Sequence, residues 1–447
     1  MAAAAAAAAG DSAVPNWVML ERLAFRRDDP ASFREDRRTF ASGTTSAGTQ
    51  FDVSFILAEP PTPSRLYLSW PEGPKKGGQG LVMAANRNLV LFRLDSLVDE
   101  SEPFGEVVHD YFIYIANPSS QQTPLLRRLP PCTEYNVYIE MQVTRLFPVL
   151  AVGLLCHGED EFAVAHLAIR PRKKKSGSRI KKSAMQAELC VLRSSLSSSD
   201  DAKWETKVFP LQYQYDDLHY DFLNWEVDGV VPFKNALCWV NYCRGILFFD
   251  GVFEDRPKVS YIRLPLDTSF RGTGTDADSL KGMYRGLCVT EGGHRLVFVD
   301  VARHDGKCYG PRMPNTGFTL TSRTLKMTGN CTTPWEWNQD AVVTSDELWH
   351  ANTMESLPRD IVMLPLLSMD KANVAHLSML DWDGGRFSLV SIDLSNMQVM
   401  GPVITYLEGE DDTADADIVK TKQVLCAHFI PSEFPKFLDL RERENHP

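Results

Sequence analysis

The sequence predicts an all-β fold, β-propeller-like, with about six blades of short antiparallel strands and few short helices. Three observations carry that expectation. Apolar residues recur with period two far more often than with period 3.6. The apolar runs come in pairs separated by polar turns, and the turns recur at a nearly constant interval.

The first strands are Phe51–Ala58, Arg65–Trp70, Leu89–Leu94 and Tyr111–Ala116, rich in β-branched and aromatic residues and separated by Pro, Gly and Asn. Four paired runs follow: Val149–Cys156 with Phe162–Ile169, Ala236–Cys243 with Gly245–Val252, Gly286–Thr290 with Arg295–Val301, and Val374–Asp381 with Arg386–Ile392. Their turns fall at Gly158, Arg244, Gly292 and Asp383. Two more turns are read at Ser199, between Ala187–Arg193 and Lys203–Phe209, and at Asn338, between Trp335–Trp337 and Val342–Val343. The series is then spaced by 41, 45, 48, 46 and 45 residues. A unit of about 45 residues matches one four-stranded propeller blade. Two β-sandwiches would also show frequent turns, but nothing in them requires this period. Runs such as Val149–Cys156 are apolar throughout, as expected of strands packed on both faces. The residues before 120 are expected to add one further blade and any closure. The helical candidates are Tyr135–Phe147 and Phe434–Arg443, both short.

The domain reading is a disordered alanine-rich head at 1–14, a single propeller-like domain at 15–440 and a tail at 441–447. An exposed basic loop (170–186) and an acidic loop (408–418) interrupt the domain. The chain has 447 residues, 44% of them hydrophobic and 23% charged, with a net charge of -11. That composition forms a core and excludes a disordered chain, a collagen-like fibre and a membrane bundle. The longest near-continuous apolar stretch, Leu146–Cys156, contains Pro148 and is far short of the roughly 20 residues that a spanning helix needs. Ala2–Ala9 has no Lys or Arg before it and Asp11 soon after, so it reads as low complexity rather than as a signal peptide. The nine cysteines (132, 156, 190, 238, 243, 288, 308, 331 and 426) are scattered through apolar surroundings. They suit buried free thiols in a cytoplasmic or nuclear setting better than a disulfide framework.

Several ordered blocks carry a family resemblance. Pro15-Asn16-Trp17-Val18-Met19-Leu20, Phe51-Asp52-Val53-Ser54-Phe55 followed by Leu57–Pro61, and Asp110–Tyr114 form the first group. Trp239-Val240-Asn241-Tyr242 running into Arg244–Asp250, then Pro257, Tyr261-Ile262 and Leu264-Pro265-Leu266, form the second. Arg295–Val301, Leu348-Trp349, Leu357-Pro358, Pro365–Met369 and Val374–Leu377 complete the set. Together they resemble the domain of unknown function 1618 family of grasses. The resemblance implies a plant protein of a family without an established activity, and it transfers no catalytic residue.

Motif chemistry is sparse. The sequence contains no G-x-S-x-G, H-E-x-x-H, C-x-x-C or G-x-x-x-x-G-K-[ST], so nucleophile-elbow hydrolases, zincins, zinc ribbons and P-loops have no support. Cys238 and Cys243 read as buried thiols rather than metal ligands. Asp300, His304 and Asp305 place two carboxylates and an imidazole at a strand end, where an acid–base or metal site could be built. A solvated connection into Gly306 is the plainer reading. Asp381–Gly385 resembles part of a calcium loop without its third acidic position and distal Glu, so it reads as a hairpin turn. Trp382-Asp383 and Gly293-His294 occur once each, which excludes WD40-type blades. Leu357–Ile361 matches the opening of an F-box, but Pro365 denies it the necessary helices.

No catalytic, cofactor-binding or metal residue is assigned. The candidate nuclear-import or anion-contact residues are Arg170, Arg172, Lys173, Lys174, Lys175, Arg179, Lys181 and Lys182, a stretch too polar to pack. Overall acidity, with no aromatics interleaved among these bases, argues against a nucleic-acid channel. The functional expectation is a non-enzymatic β-propeller-like protein-interaction module with a partner of unknown identity and no cofactor or membrane. The alternatives are a propeller enzyme with a carboxylate-lined central pocket, or a nuclear-associated factor using the basic loop. Replacing Lys173, Lys174 and Lys175 by Ala should change stability by less than about 0.5 kcal/mol. In a fluorescent fusion of that variant, loss of nuclear signal with unchanged melting marks an import signal. An unchanged distribution reduces the stretch to a solvated insertion.

Overall fold

A computed structural model describes residues 14–74, 79–97, 107–116, 123–136, 141–171, 185–196, 202–211, 222–254, 257–266, 282–327, 335–353, 357–382, 386–407 and 429–438. The fold is all-β, built of many small antiparallel sheets. Sheet A contains Phe25–Arg26, Ala41–Thr44, Gln50–Ile56 and Arg65–Ser69. Sheet B contains Gln79–Asn86, Leu89–Leu97, Val107–Ile115 and Leu125–Arg128. Sheet C contains Val152–His157, Glu161–Pro171, Met185–Ser195 and Trp204–Pro210, and sheet D Gly229–Phe233, Ala236–Asn241, Gly245–Asp250 and Lys258–Arg263. Sheet E contains Arg285–Thr290, Arg295–Arg303, Phe318–Met327 and Trp335–Thr344. Sheet F contains Met363–Leu367, Val374–Leu380 and Phe387–Asp393, the last pairing with both Gln398–Val399 and Ile404–Thr405.

Sheets B to E are meanders in which each strand pairs antiparallel with the next, and sheet F begins the same way. Sheet A departs from this pattern. Its strand Phe25–Arg26 runs parallel to Arg65–Ser69 and lies at the sheet edge.

Packing follows from strand alternation. Ala236–Asn241 is buried along its whole length. Leu237 and Trp239 enter the core shared with sheet C, while Ala236, Cys238 and Val240 enter the core shared with sheet E. Successive side chains point to opposite faces, so a strand packed on both sides reads as a continuous apolar run. Trp239 also donates Nε1–H to the Ala151 carbonyl, 2.9 Å away, so its one polar atom is satisfied against sheet C. Truncating such a side chain to Ala costs about 3–5 kcal/mol. Further cores join A with B, B with C, and E with F.

Both chain ends meet in one small sheet. Val18–Leu20 pairs antiparallel with Ile430–Ser432, in the register Val18↔Ser432, Met19↔Pro431 and Leu20↔Ile430. Val18 and Leu20 belong to the A/B core, whereas Trp17 and Met19 belong to the E/F core. Beside this pairing, Tyr406 of the sheet F end donates its hydroxyl to Glu21, and Arg65 of sheet A donates to the Tyr406 carbonyl.

The expected strand pairs are present except the one read across Asn338, and four expectations need correction. The described residues of the helical candidate Tyr135–Phe147 are not helical: Thr133–Asn136 and Met141–Thr144 pair as antiparallel strands. Val137, Tyr138, Ile139, Val143 and Thr144 are β-branched or aromatic, types that lose rotamer freedom in a helix. The residues before 120, expected to add one blade, supply the four strands of sheet A and the first three of sheet B. The 45-residue unit also fails. Gly158 lies between the first two strands of sheet C, position 199, outside the described residues, falls between the last two strands of the same sheet, and Asn338 lies inside the continuous strand Trp335–Thr344. First strands begin at Gln79, Val152, Gly229, Arg285 and Met363, at intervals of 73, 77, 56 and 78 residues. Long connections within and between sheets stretch the repeat. The C-terminal helical candidate is a 3₁₀ turn, Phe434–Phe437, and its residues from 439 onward lie outside the described residues, as do 1–13, 408–428 and the tail.

Helix α1 (Ser345–Ala351) follows sheet E and is started by a capping box: Glu347 N–H donates to Thr344 Oγ1 at 3.3 Å, while Thr344 N–H donates to Glu347 Oε2 at 2.8 Å. Among the described residues no helix is long and apolar enough to cross a membrane.

Neighbouring first strands approach closely enough to exclude side chains. A Cβ on Gly286 would collide with the carbonyl oxygen of Pro365, where sheet E meets sheet F, whereas one on Gly229 would meet nothing within 4 Å. Gly286→Ala should therefore lower the unfolding free energy by about 1–3 kcal/mol in chemical denaturation. Gly229→Ala should leave it unchanged or raise it by up to about 1 kcal/mol.

Candidate functional site

The first strands of sheets B, D, E and F, together with the paired chain ends, enclose a cavity of about 170 Å³. Its apolar wall includes Met83, Val230, Leu287, Leu366, Phe429 and Ile430. The charged and polar groups are Arg22, Asp228 and Tyr242 inside, with Arg87, Lys234 and Glu433 also lining it. A mostly apolar concavity with a few fixed polar groups is the usual form of a ligand site.

Arg22 enters directly after the Val18–Leu20 strand. Its Nη1 donates to the Met83 carbonyl at 3.0 Å, and its backbone N–H donates to Glu21 Oε1 at 2.7 Å. Burial lowers the guanidinium to about 10, partly opposed by Glu21 and Tyr242, so it stays charged at neutral pH.

Asp228 precedes the first strand of sheet D. Its backbone N–H donates to the Val240 carbonyl at 2.8 Å, and its Oδ2 accepts the Tyr242 backbone N–H at 2.6 Å. Burial pushes the carboxyl up to about 6. The Tyr242 N–H and Arg285 work against the rise, and Glu226 adds to it. The Tyr242 hydroxyl accepts from the Leu287 N–H at 3.2 Å, and burial pushes that phenol up. Arg285 fixes the same corner by donating to the Tyr242 carbonyl at 2.7 Å and to Asp300 Oδ1 at 2.8 Å. Cys288 Sγ accepts from the Leu367 N–H at 3.3 Å, and burial raises the thiol to about 12. The cavity thus holds a cation that stays charged, a carboxyl that changes state near pH 6, and a protonated phenol.

A second recess lies between residues 15–17 and sheet F. There the His376 ring packs on Trp17 with centroids 5.3 Å apart, and its Nδ1 is 2.8 Å from Ser391 Oγ. Burial lowers His376 to about 4, so it is neutral at neutral pH.

Asp300, His304 and Asp305 do not converge on the cavity. Asp300 pairs with Arg285, and exposed His304 has Nε2 2.8 Å from Thr319 Oγ1. Asp305 is 2.6 Å from Arg303, whose hydrogen bond takes its carboxyl down to about 2, and it also accepts the backbone N–H groups of Lys307 and Met313. It pins its own loop. Among the described residues, no group of three His, Cys, Asp or Glu is placed to hold a metal.

Of the basic stretch, Arg170 belongs to the strand Glu161–Pro171, with Nη2 3.5 Å from Glu188 Oε1. Arg172, Lys173, Lys174, Lys175, Arg179, Lys181 and Lys182 lie outside the described residues. The expected loop 170–186 is shorter at both ends, because Pro171 pairs with Met185 and Arg170 with Gln186.

Sequence reasoning singled out neither Arg22, Asp228 nor Tyr242 as site residues. One signal was available: Asp228 stands immediately before an apolar strand that ends in a hairpin turn. Nothing local links it to Arg22.

Residues 239–376, about a third of the chain, match a family model described as protein of unknown function (DUF1618). The chain resembles that family over this stretch, from the second strand of sheet D to the second strand of sheet F. No curated protein matches the chain.

The Asp228 carboxyl titrates higher in the folded chain than its ordinary value of 3.8. The folded state therefore holds more protons than the unfolded state between pH 4 and 6, and this group's contribution to stability falls as pH rises through that window. Asp228→Asn removes the titration and keeps an acceptor for the Tyr242 N–H. Relative to that variant, the wild type should lose roughly 1–3 kcal/mol between pH 4 and 7, measured by denaturant unfolding at each pH.

Proposed function

We propose that the chain is a six-bladed β-propeller-like protein-interaction module, with sheets A to F as its blades and the cavity on its axis. Three features support the blade reading. First strands of adjacent sheets contact one another from B through F. Each shared core joins sheets that are neighbours in sequence. Sheet F returns to sheet A through Tyr406, Glu21 and Arg65. Radially arranged four-stranded sheets around a shared centre define a propeller.

The observation that carries the binding role is the ring of turns lining one end of the cavity, which we take as its mouth. This end is lined by Arg87, Lys234, Gly292, Gly293 and Met369, all in the turns or bends that follow the first strands of sheets B, D, E and F, with Glu433 beside them. These turns sit on rigid strands, and two of them brace their neighbours: Arg87 donates to the Gly158 carbonyl, and the Gly292 N–H to the Met369 carbonyl at 3.2 Å. A partner segment seated here meets charge at the mouth and an apolar wall inside. That combination gives orientation and affinity together. The compartment proposed is cytosol or nucleus, where the described cysteines would remain free thiols.

One observation favours an enzyme as the second reading: a carboxyl titrating near 6 in a cavity is poised for acid–base work.

A photo-crosslinking residue at position 234 would identify the partner in cells, and purified partner would then be titrated against variants. Arg87→Glu and Lys234→Glu should each weaken binding at least tenfold, or about 1.4 kcal/mol. Lys207→Glu, on the last strand of sheet C, should leave it unchanged. Equal affinity across all three variants would contradict the cavity-mouth reading. Turnover of a captured ligand that disappears with Asp228→Asn would favour the enzyme.

A further inference from the structure

We propose that Cys132 and Cys190 form a peroxide-responsive thiol pair whose disulfide fastens the connection after sheet B to the face of sheet C. Their Sγ atoms lie 3.4 Å apart, and both thiols are free and buried. Cys156 and Cys288 differ from them: their sulfurs hydrogen-bond the Asn86 carbonyl and the Leu367 N–H.

The two backbones around the pair differ in stiffness. Cys190 sits in the middle of strand Met185–Ser195, held in the ladder opposite His166 and Thr206. Cys132 lies in irregular backbone after Pro130-Pro131, at the base of the Thr133–Asn136/Met141–Thr144 hairpin, where its carbonyl accepts the Arg145 N–H at 2.7 Å. A disulfide requires the sulfurs to close to about 2.05 Å, so roughly 1.4 Å of approach is needed. The irregular side can supply it without breaking a sheet ladder.

The electrostatic surroundings assign different roles to the two sulfurs. The contact with Cys132, with help from the Thr206 hydroxyl and Arg145, lowers the Cys190 thiol against its burial. The same contact and burial push Cys132 up. Arg145 is held in place by Glu188 at 2.5 Å. The Thr206 hydroxyl acts on Cys190 and not on Cys132, so Cys190 is the sulfur favoured to ionise, and the thiolate is the nucleophile in such chemistry. Cys132 keeps the proton and resolves.

The oxidant is a small hydroperoxide, since Cys190 is fully buried beneath Cys132, which is itself 6% exposed. With hydrogen peroxide, the Cys190 thiolate attacks one oxygen; an S–O bond forms and the O–O bond breaks. The departing hydroxide takes up the proton that Cys190 had released and becomes water. The Cys132 sulfur then attacks the sulfenic sulfur; an S–S bond forms, the S–O bond breaks, and the second hydroxide leaves as water with the Cys132 proton. Two thiols are oxidised by two electrons and one peroxide is reduced to two waters. The cross-link constrains the unfolded chain between the two positions, so the melting temperature should rise by on the order of 4 °C.

The test uses the full-length reduced protein treated with hydrogen peroxide, alkylated with iodoacetamide, digested and mapped by mass spectrometry. The expected result is that Cys132 and Cys190 leave the alkylated pool together as one linked peptide pair, with the melting temperature raised and both changes reversed by dithiothreitol. Cys132→Ser should abolish the link and leave a dimedone-reactive sulfenic acid on Cys190. If that variant does not fold, the wild-type peptide map decides alone. Oxidation that leaves both thiols alkylatable, or that joins either to another cysteine, overturns the proposal.

Discussion

The antiparallel pairing of Val18–Leu20 with Ile430–Ser432 is the constraint on which the arrangement of the sheets depends. Strand alternation makes this short element serve two cores at once. Val18 and Leu20 are buried in the core between sheets A and B, and Trp17 and Met19 in the core between E and F. The first and last sheets are thereby fixed to the same four consecutive residues. Closing a loop of this length costs entropy that grows only slowly with chain length, so a few fully buried side chains are enough to offset it. Glu21 would be expensive at 1% exposure if it were unpaired. Its carboxylate instead accepts the Tyr406 hydroxyl and the backbone N–H groups of Arg22 and Leu23, so the charge turns the chain ends into a specific junction.

Packing sheets on both faces shapes what lies at their inner edges. First strands must come close, which is why Gly286 faces the Pro365 carbonyl, and why Gly153 would bring a Cβ to 2.7 Å from Val230 Cγ1. Where the strands draw apart they leave the cavity, and the few polar side chains there are fixed by backbone hydrogen bonds, that of Asp228 within sheet D and those of Arg22 and Tyr242 from sheets B and E. Tyr242 illustrates the economy of this arrangement. Its N–H holds Asp228, its carbonyl holds Arg285, and its hydroxyl receives the Leu287 N–H. The site is therefore set before any ligand arrives, and a ligand would spend little energy on organising it.

Strands and hairpins were legible because each apolar run is short, β-branched and bounded by turn residues. Val374–Leu380 and Phe387–Asp393 could be paired from sequence alone. The repeat length was not legible, since equal spacing mixed the first turn of sheet C at Gly158 with the second turn of sheet D at Arg244. Thr344-Ser345-Asp346-Glu347 carried a capping-box signal that was missed within a β-rich context. The cavity residues were not legible for a different reason: Arg22, Asp228 and Tyr242 meet only through sheet packing, and no spacing records that meeting. Asp300 and Asp305 looked functional at a strand end because the arginines that neutralise them, Arg285 and Arg303, could not be assigned as partners without the fold.

Amide hydrogen exchange at the junction of the two chain ends tests this account most directly. If the pairing holds the sheets together, the amides of residues 18–20 and of Ile430 and Ser432 should exchange only through global unfolding. They should then share the exchange free energy of the buried Ala236–Asn241 strand. Rapid exchange at both ends, with Ala236–Asn241 still protected, would show that the ends fray independently and would contradict the account.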